Sequence, residues 1–339
     1  MPTRVLVTGG SGFIAGHCIL QLLAEGHEVR TTIRSPGREA AVRAVLQGAG
    51  TAHGEDLTFV AADLLEDAGW ADATAGIDTV VHVASPVRPG HVEDEDDLIV
   101  PAREGTLRVL AAARDAGVRR IVLTSAFHAV SWGHPHDDHV FTEEDWTVLD
   151  GPGVDAYGRS KTLAERAAWE FAAANGLDLV TLLPVAVMGP VVGQDVSGAN
   201  QIVQRLLTGA VPALPHLFFP IVDVRDVAAA HVLAVGSAEA AGQRFLLSDG
   251  PTLEFPEIAA ILRSALGADA DRVPTQVLPN DVVRAGADAD PALRAMVPDL
   301  GYAKRTSNEK ARRVLGWAPR PASEAVEAAG RSMVERGLV

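Results

Sequence analysis

Short apolar runs alternate along the first half of the chain with longer segments in which apolar residues recur every three or four positions. The short runs, closed by glycines or polar residues, are typical of buried strands, and the longer segments are typical of helices with one buried face. We predict strands at residues 4–8, 29–33, 58–61, 79–83, 120–124, 179–183 and 244–247. We predict helices at residues 13–25, 102–116, 156–174 and 223–235. This alternation indicates an α/β fold in which helices cover both faces of a doubly wound parallel sheet.

The pattern changes after Pro184. Prolines and glycines crowd residues 184–220, and we expect irregular segments through residues 250–302. We interpret residues 185–220 and 249–305 as a smaller lobe that binds substrate beyond the carboxyl ends of the strands. The sheet domain would then comprise residues 1–184 and receive residues 221–248, while residues 306–339 would form C-terminal helices. Residues 306–309 resemble a capping box, which predicts a short helix that ends at Gly316.

Composition and charge exclude several classes of protein. The 339 residues include 29 Lys and Arg against 44 Asp and Glu, which gives a formal net charge of −15. Because nucleic-acid binders need basic faces, we expect no nucleic-acid partner. The longest uncharged stretch, residues 179–194, contains prolines and is shorter than the roughly 20 residues that span a bilayer. We therefore expect no membrane partner, and the N-terminus shows no targeting signal. The single cysteine, Cys18, excludes an intrachain disulfide and favours a reducing, cytoplasmic location.

A glycine-rich turn joins the first predicted strand to the first predicted helix. It reads Thr8-Gly9-Gly10-Ser11-Gly12-Phe13-Ile14-Ala15. Gly9 permits a tight turn, Gly12 lets the backbone approach a pyrophosphate at the helix N-terminus, and the small Ala15 lets the helix pack on the strand. In this strand–turn–helix context the motif predicts a dinucleotide site and a Rossmann sheet.

The end of the second predicted strand distinguishes NADP from NAD. NAD sites place an acid there, about 20 residues past the glycines, to hold the ribose 2′-hydroxyl. Here no acid occurs between Glu28 and Glu39; Ile33 takes the acid's place, and Arg34 and Arg38 follow. A guanidinium can form paired hydrogen bonds with a 2′-phosphate, whereas a carboxylate would repel it. The sequence therefore predicts NADP(H) as the cofactor.

Tyr157 and Lys161 lie four residues apart at the start of a long predicted helix, so their side chains share one face. An unperturbed phenol has a pKa of about 10 and is a poor acid–base group at neutral pH. We expect the adjacent ammonium to lower the pKa of Tyr157. Tyr157 could then donate a proton to a carbonyl oxygen as hydride reaches the carbonyl carbon.

Further motifs follow the carboxyl ends of the predicted strands. They are Ala62-Asp63-Leu64, His82-Val83-Ala84-Ser85-Pro86, Val122-Leu123-Thr124-Ser125, Phe141-Thr142-Glu143-Glu144-Asp145-Trp146, Leu183-Pro184 with Met188-Gly189-Pro190, and Val222-Asp223-Val224-Arg225-Asp226-Val227. With the glycine turn and the Tyr157–Lys161 pair, they make the chain resemble an extended short-chain dehydrogenase/reductase. It is most similar to the dihydroflavonol reductase-like aldehyde and ketone reductases, which include cinnamoyl-CoA reductase relatives. The resemblance covers nearly the whole chain.

The resemblance implies how the cofactor lies. Asp63 and Leu64 would flank the adenine, and residues 84–86 would run along the cofactor near the nicotinamide. Pro184 and Val187 would line the nicotinamide pocket. The full expected cofactor-binding set is Gly9, Gly12, Phe13, Ile14, Arg34, Arg38, Asp63, Leu64, Ala84, Ser85, Thr124, Tyr157, Lys161, Pro184 and Val187.

The resemblance also implies roles at the reacting end. Lys161 would bind the nicotinamide ribose and tune Tyr157, and relatives occur as monomers or as dimers, so either state is expected. The substrate would be an aldehyde or ketone, and an apolar pocket favours a hydrophobic or aromatic one. The expected substrate contacts are Pro86, Val87, Phe127 and Phe219, with Leu214 and Phe218 adding to the apolar pocket.

One position departs from the family. Relatives read Thr-Ser-Ser after the fifth strand, and their second serine polarises the substrate carbonyl; here Ala126 replaces that serine. Three alternatives stay open. Ser125 or Thr124 could reach the carbonyl through a shifted backbone, His128 could supply the donor, or the site could be weakened. We retain Ser125 beside Tyr157 and Lys161 as a catalytic candidate.

The pattern therefore predicts an NADPH-dependent reduction of an aldehyde or ketone to an alcohol. A nucleotide-sugar epimerase or dehydratase is an alternative, although such enzymes mostly retain NAD, and a non-catalytic NADP-binding regulator is another. A cluster of His134, His136 and His139 with Asp137 and Asp138 lies in a polar loop without the spacing of a structural zinc site. We expect no metal.

Overall fold

The computed structural model describes residues 3–86 and 94–339 of the chain. Val87, which the resemblance places at the substrate site, lies outside the described residues. The strands within the described ranges are β1 Arg4–Val7, β2 Glu28–Ile33, β3 Leu57–Ala61, β4 Thr79–His82, β5 Arg120–Thr124, β6 Val140–Phe141, β7 Asp178–Pro184, β8 Ala186–Met188, β9 Leu214–Pro215, β10 Phe218–Asp223, β11 Gln243–Leu247, β12 Thr252–Glu254, β13 Val277–Leu278 and β14 Arg305–Thr306.

Seven of these strands form one sheet in the order β11-β7-β5-β4-β1-β2-β3. Every neighbouring pair is parallel; Val5, for example, pairs with Val29 on one side and Thr79 on the other. Chain order reverses between β1 and β4, and ligands of such sheets bind beyond the carboxyl ends at that switch point. The doubly wound α/β fold predicted from the sequence is confirmed.

The helices of the described ranges connect and cover these strands. They are α1 Phe13–Ala24, α2 Glu39–Gly48, α3 Trp70–Thr74, α4 Asp96–Asp115, α5 Ala156–Asn175, α6 Asn200–Leu207, α7 Val224–Gly236, α8 Phe255–Leu266, α9 Asn280–Gly286, α10 Pro291–Met296, α11 Glu309–Leu315 and α12 Ala322–Glu335. Helix α1 packs with α7 on one face of the sheet, where Cys18 and Leu22 are buried, and α4 packs with α5 on the other. None of these helices is long and apolar enough to cross a membrane.

A second core lies beside the sheet. Helix α6 contributes Val203 and Leu206, α8 contributes Ile258 and Leu262, and α12 adds a buried face that includes Val326. Three small sheets accompany this core: β12-β10-β8, β13-β9, and β14-β6, in which Arg305 pairs with Val140. The C-terminal helix α12 therefore shares the core of the smaller lobe.

Several local expectations were wrong. The helix expected from residue 102 begins at Asp96 and continues through Pro101, where burial of Leu98 and Ile99 in the added turns offsets the cost of the proline. The expectation of irregular structure through residues 250–302 was also wrong, since α8 begins at Phe255 with a proline in its first turn, where the missing N–H needs no partner. Helix α11 ends at Gly316 as predicted. The capping box does not form, because Thr306 Oγ1 donates to Ser248 Oγ at 2.9 Å instead.

Candidate active site

A cavity of about 1240 Å³ opens at the carboxyl ends of the central strands and extends towards the smaller lobe. Of the described residues that the sequence places at the site, all but Leu214 lie in its wall. They are Gly9, Gly12, Phe13, Ile14, Arg34, Arg38, Asp63, Leu64, Ala84, Ser85, Pro86, Thr124, Ser125, Phe127, Tyr157, Lys161, Pro184, Val187 and Phe219. The fold therefore brings residues from most of the chain's length to one cavity.

The glycine turn packs closely against the neighbouring strands. Gly9 has a φ of +76°, and a Cβ there would lie 3.0 Å from Ala84 Cβ. Gly9 N donates to Thr32 Oγ1 at 2.9 Å, which ties the turn to β2. Gly10, which the spacing argument did not single out, is more constrained, since a Cβ there would lie 2.3 Å from Thr31 Oγ1. Because both residues lack a side chain, the turn can pack directly against the ends of β2 and β4.

Helix α1 begins at this turn and directs its N-terminus to the cavity. Gly12 is the N-cap and supplies no side-chain cap, and Phe13 and Ile14 in the first turn line the cavity. The first N–H groups of a helix have no partner within the helix and carry a partial positive charge, which favours a phosphate group. Ala15 is buried against the sheet, as its small size allows.

At one end of the cavity, Arg34 follows β2 and Arg38 closes the short turn that leads to α2. Both side chains are exposed, and among the described residues no carboxylate forms an ion pair with either guanidinium. Two arginines therefore lie together at this end of the cavity. Asp63, across this end, accepts from Leu65 N at 3.0 Å and so shapes its own turn. The donor chemistry fits the 2′-phosphate of NADP.

The Tyr157–Lys161 pair lies at the start of α5. The helix is capped by Asp155, whose Oδ1 accepts from Gly158 N at 2.7 Å. Lys161 Nζ lies 5.8 Å from the centroid of the Tyr157 ring and donates to Ser85 Oγ at 3.0 Å. One turn of helix thus directs a phenol and an ammonium into the same cavity, where Ser85, in the segment that follows β4, supplies the hydroxyl that accepts from the ammonium.

The titration of this pair differs from the expectation. Burial raises the pKa of Tyr157 to about 12, and the negative charge of Asp155 adds to the rise. Burial lowers the pKa of Lys161 to about 8. The expectation that Lys161 lowers the pKa of the phenol is therefore corrected, because loss of water opposes the charged form of both groups. At neutral pH Tyr157 is a neutral phenol with a proton to donate.

The hydroxyls of Thr124 and Ser125 are engaged within the protein. His231 Nδ1 donates to Val227 O at 2.7 Å, and burial lowers the pKa of His231 to about 4, so its Nε2 is an acceptor. Thr124 Oγ1 donates to this Nε2 at 2.7 Å. Ser125 Oγ donates to Glu165 Oε2 at 2.6 Å. Neither hydroxyl proton is free for a substrate oxygen, so the structure does not support Ser125 as the carbonyl donor.

Sequence reasoning missed Glu165, which lies one helical turn beyond Lys161 and is buried. Its Oε1 accepts from Arg244 Nε at 2.8 Å and from Thr181 Oγ1 at 2.8 Å. Arg244 in turn stacks over the ring of Trp146, with 3.6 Å between the guanidinium carbon and the ring centroid. The only sequence signal was a carboxylate at a helix position that faces the sheet. This ion pair joins α5, β7 and β11 behind the end of β5.

His128 occupies the cavity wall next to Tyr157. Its ring stacks on Trp132 with centroids 3.8 Å apart, and it meets the Tyr157 ring edge-on at 4.8 Å. The carbonyl of His128 accepts from Thr147 Oγ1 at 2.7 Å, which fixes the backbone. Burial lowers the pKa of His128 to about 4, so the imidazole is neutral at neutral pH.

Aromatic and apolar side chains line the substrate end. Phe127, Phe218 and Phe219 are in the wall, but the expectation for Leu214 was wrong, since that side chain is buried in the core of the smaller lobe. A further part of the wall was not predicted because it carries no motif. It comprises Ala295, Met296, Asp299, Tyr302 and Lys304.

The three histidines of the polar loop have separate partners. His134 Nε2 lies 3.0 Å from Trp146 O, His139 Nε2 lies 3.0 Å from Asp145 Oδ1, and His136 stacks on the Tyr302 ring. Each histidine is thus engaged in packing the loop.

Comparison with known proteins places the chain in a family. Residues 5–247 match the NAD dependent epimerase/dehydratase family. A cinnamoyl-CoA reductase of Medicago truncatula is 36% identical over 264 residues, which cover 76% of this chain and 79% of that protein. An anthocyanidin reductase of Vitis vinifera is 32% identical over 290 residues, which cover 81% of this chain and 82% of that protein.

Solved structures give the same assignment. The yeast methylglyoxal/isovaleraldehyde reductase complexed with NADPH matches with a TM-score of 0.79 at 26% identity, over 99% of this chain and 100% of that chain. Vestitone reductase from alfalfa matches with a TM-score of 0.76 at 26% identity, over 99% of this chain and 100% of that chain. The chain therefore belongs to the NAD dependent epimerase/dehydratase family and, within it, to the dihydroflavonol reductase-like reductases.

Proposed function

We propose that this chain reduces an aldehyde or ketone to an alcohol, with NADPH as the hydride source. The observation that carries the proposal is the neutral phenol of Tyr157 in the same cavity as Lys161, Arg34 and Arg38, the two arginines pairing with no carboxylate among the described residues. The chain is an NADP-dependent oxidoreductase, as its relatives among named reductases and the NADPH complex of a solved relative support.

The cavity offers a place for each part of the cofactor. Arg34 and Arg38 would hold the 2′-phosphate, the turn at Gly9 and Gly12 with the start of α1 would hold the pyrophosphate, and Lys161 would hold the nicotinamide ribose. When bound, the cofactor supplies a hydride to the carbonyl carbon. The arginines and the missing ribose acid favour NADPH over the tightly held NAD of a nucleotide-sugar epimerase.

Tyr157 supplies the proton. As hydride reaches the carbonyl carbon, negative charge develops on the oxygen, and transfer of the phenolic proton to that oxygen completes the alcohol. The raised pKa of Tyr157 keeps this proton in place before reaction. Lys161, mostly protonated at neutral pH, stabilises the phenolate that remains and donates to Ser85 Oγ.

The substrate that fits this cavity is a hydrophobic or aromatic carbonyl compound. The wall beyond Tyr157 carries Phe127, Phe218, Phe219 and Trp132. Apolar walls with a few convergent polar groups bind drug-sized apolar ligands and fix the orientation of one polar atom. Here that atom would be the carbonyl oxygen next to Tyr157.

The test follows NADPH absorbance with a panel of aryl aldehydes and ketones. Oxidation of NADPH in stoichiometry with alcohol formed supports the proposal. Tight NADPH binding with no turnover across the panel would instead support a non-catalytic regulator, and co-purified NAD that is recycled on a nucleotide sugar would support an epimerase. NADH serves as the matched control cofactor, since it differs from NADPH only by the 2′-phosphate that Arg34 and Arg38 would hold.

A further inference from the structure

The reacting end of the cavity lacks the hydroxyl that a carbonyl site of this family carries. Ala126 has no polar side chain, and the protons of Thr124 and Ser125 are donated to His231 and Glu165. Tyr157 would then act on the substrate oxygen without a hydroxyl donor from positions 124–126. Charge that develops on a reacting oxygen is stabilised best by more than one fixed donor.

His128 is placed to supply the second donor. Its ring lies in the cavity wall with its edge-to-face contact on Tyr157, 4.8 Å between centroids, so both side chains border the same space. Among the residues the structure describes, no hydrogen bond engages either ring nitrogen of His128. A neutral imidazole always carries one N–H, and its other nitrogen is an acceptor.

Packing holds this imidazole in a fixed orientation. Trp132 stacks on the ring with 3.8 Å between centroids and an interplanar angle of 15°, and the Tyr157 ring contacts it at an interplanar angle of 78°. Thr147 Oγ1 holds the His128 carbonyl at 2.7 Å and also accepts from Trp132 N at 3.1 Å, so one hydroxyl fixes both members of the stack. Such preorganisation lets a donor act without reorganisation during the reaction.

Two lysines in the wall already have partners within the protein. Lys304 Nζ lies 2.5 Å from Asp299 Oδ1 and over the Trp132 ring. Lys161 Nζ donates to Ser85 Oγ. Ser85 itself keeps a hydroxyl proton and is the competing candidate, which the experiment below includes.

We propose that His128 is a catalytic residue whose ring N–H donates a hydrogen bond to the substrate carbonyl oxygen beside Tyr157. The proposal rests on the proposed reductase function. The hydride forms the new C–H bond, the C=O π-electron pair moves to oxygen, and the Tyr157 proton forms the O–H bond. His128 keeps its proton throughout and contributes only the hydrogen bond that stabilises the developing charge.

The test compares His128→Phe with His128→Gln, on a carbonyl substrate that the wild-type protein reduces. Phenylalanine retains the stack on Trp132 and removes the N–H, so kcat should fall by about 10²–10³-fold, the usual cost of one such donor. Glutamine retains an N–H, so kcat should fall less in His128→Gln than in His128→Phe. Binding of NADPH should be unchanged in both, and the melting temperature of each variant shows that it folds. His139→Phe, which lies between β5 and β6 like His128 but contacts Asp145 outside the cavity wall, is the matched control and should leave kcat unchanged.

A rescue experiment separates a donor from a packing residue. Adding Ala126→Ser to His128→Phe places a hydroxyl where relatives have one and should recover kcat by about tenfold or more. An unchanged kcat in His128→Phe overturns the proposal, and so does a large loss in Ser85→Ala that the His128 variants do not share. If the wild-type protein reduces no carbonyl in the panel, the proposed function fails and this proposal falls with it. Turnover by the wild type with no effect of His128 overturns this proposal alone.

Discussion

Ser125 Oγ donates a hydrogen bond to Glu165 Oε2 at 2.6 Å, across 40 positions of sequence. The contact directs the hydroxyl that follows β5 to the carboxylate of a buried ion pair, which Glu165 forms with Arg244. A hydroxyl at the end of a central strand is usually interpreted as part of the reaction site. Here it completes the solvation of a buried carboxylate.

Ser125→Ala should therefore lower stability more than activity. Loss of a hydrogen bond to a charged group costs about 1.5–3 kcal/mol, and the remaining donors to Glu165 should keep the fold intact. Urea denaturation measures the loss, and kcat should stay within a few-fold of wild type. Thr181→Val, which removes a donor to the same carboxylate, is the matched control and should give a similar loss. A hundredfold fall in kcat for Ser125→Ala alone would restore its catalytic role.

Arg244→Met should be the most destabilising of the changes considered. It leaves the buried Glu165 carboxylate without its cation, and breaking one side of a buried ion pair costs about 3–5 kcal/mol. The midpoint of urea unfolding measures the effect. Arg331→Met, in an exposed ion pair with Glu327, is the control and should change stability by less than about 1 kcal/mol. Equal effects of the two substitutions would contradict the account.

Tyr157→Phe should remove the proton donor and little else. General acid catalysis contributes about 10²–10⁴-fold, so kcat should fall by that factor. The ring contact with His128 persists in phenylalanine, and NADPH affinity should be unchanged. Single-turnover oxidation of NADPH measures the step directly. Full activity in this variant would exclude Tyr157 as the acid.

Activity should fall as pH rises through about 8. The pKa of Lys161 is lowered to about 8, so its ammonium is present below that pH and lost above it, while Tyr157 with a pKa of about 12 stays protonated. The pH profile of kcat/KM for NADPH reports the free protein and should show this alkaline limb. The Lys161→Met variant should have a low kcat/KM at every pH and should not show the alkaline fall. A limb that persists in Lys161→Met would assign it to another group.

Arg34→Gln and Arg38→Gln should weaken NADPH binding selectively. Each loses a hydrogen bond to a doubly charged phosphate, which corresponds to about a 10- to 100-fold rise in the KM for NADPH. The KM for NADH should change little, because NADH has no 2′-phosphate. Arg313→Gln, an exposed arginine of α11, removes the same charge elsewhere and controls for net charge. Parallel changes for both cofactors would contradict the assignment.

Much of the fold, and many of the residues that line the cavity, could be predicted because their signals are local. The glycine turn, the missing acid before Arg34 and the spacing of Tyr157 and Lys161 each occupy a few consecutive positions. Strand periodicity likewise depends on near neighbours, and the parallel sheet followed from it.

The remaining features depend on contacts between distant parts of the chain. The hydrogen bond to Glu165 decides where the Ser125 hydroxyl points, and burial decides the direction in which the pKa of Tyr157 shifts. No local motif records either effect. The wall around Lys304 carries no motif, and Leu214 was placed in the cavity because apolarity alone does not distinguish a pocket from a core. Helix α8 was missed because a proline in its first turn resembles a break.

The pairing of β14 with β6 joins Arg305 to Val140 through main-chain hydrogen bonds, and Ser307 N extends it by donating to Phe141 O at 2.9 Å. Main-chain hydrogen bonds of this kind do not depend on which side chains the paired residues carry. The backbone pairing therefore positions Tyr302 and Lys304, which lie just before β14, at the cavity. It does not depend on the side chains of these two residues. Under the proposed function, selectivity for the carbonyl compound can be re-engineered, or can diverge in evolution, at Tyr302, whereas replacement of Lys304 also removes its contact with the Trp132 ring that packs on His128.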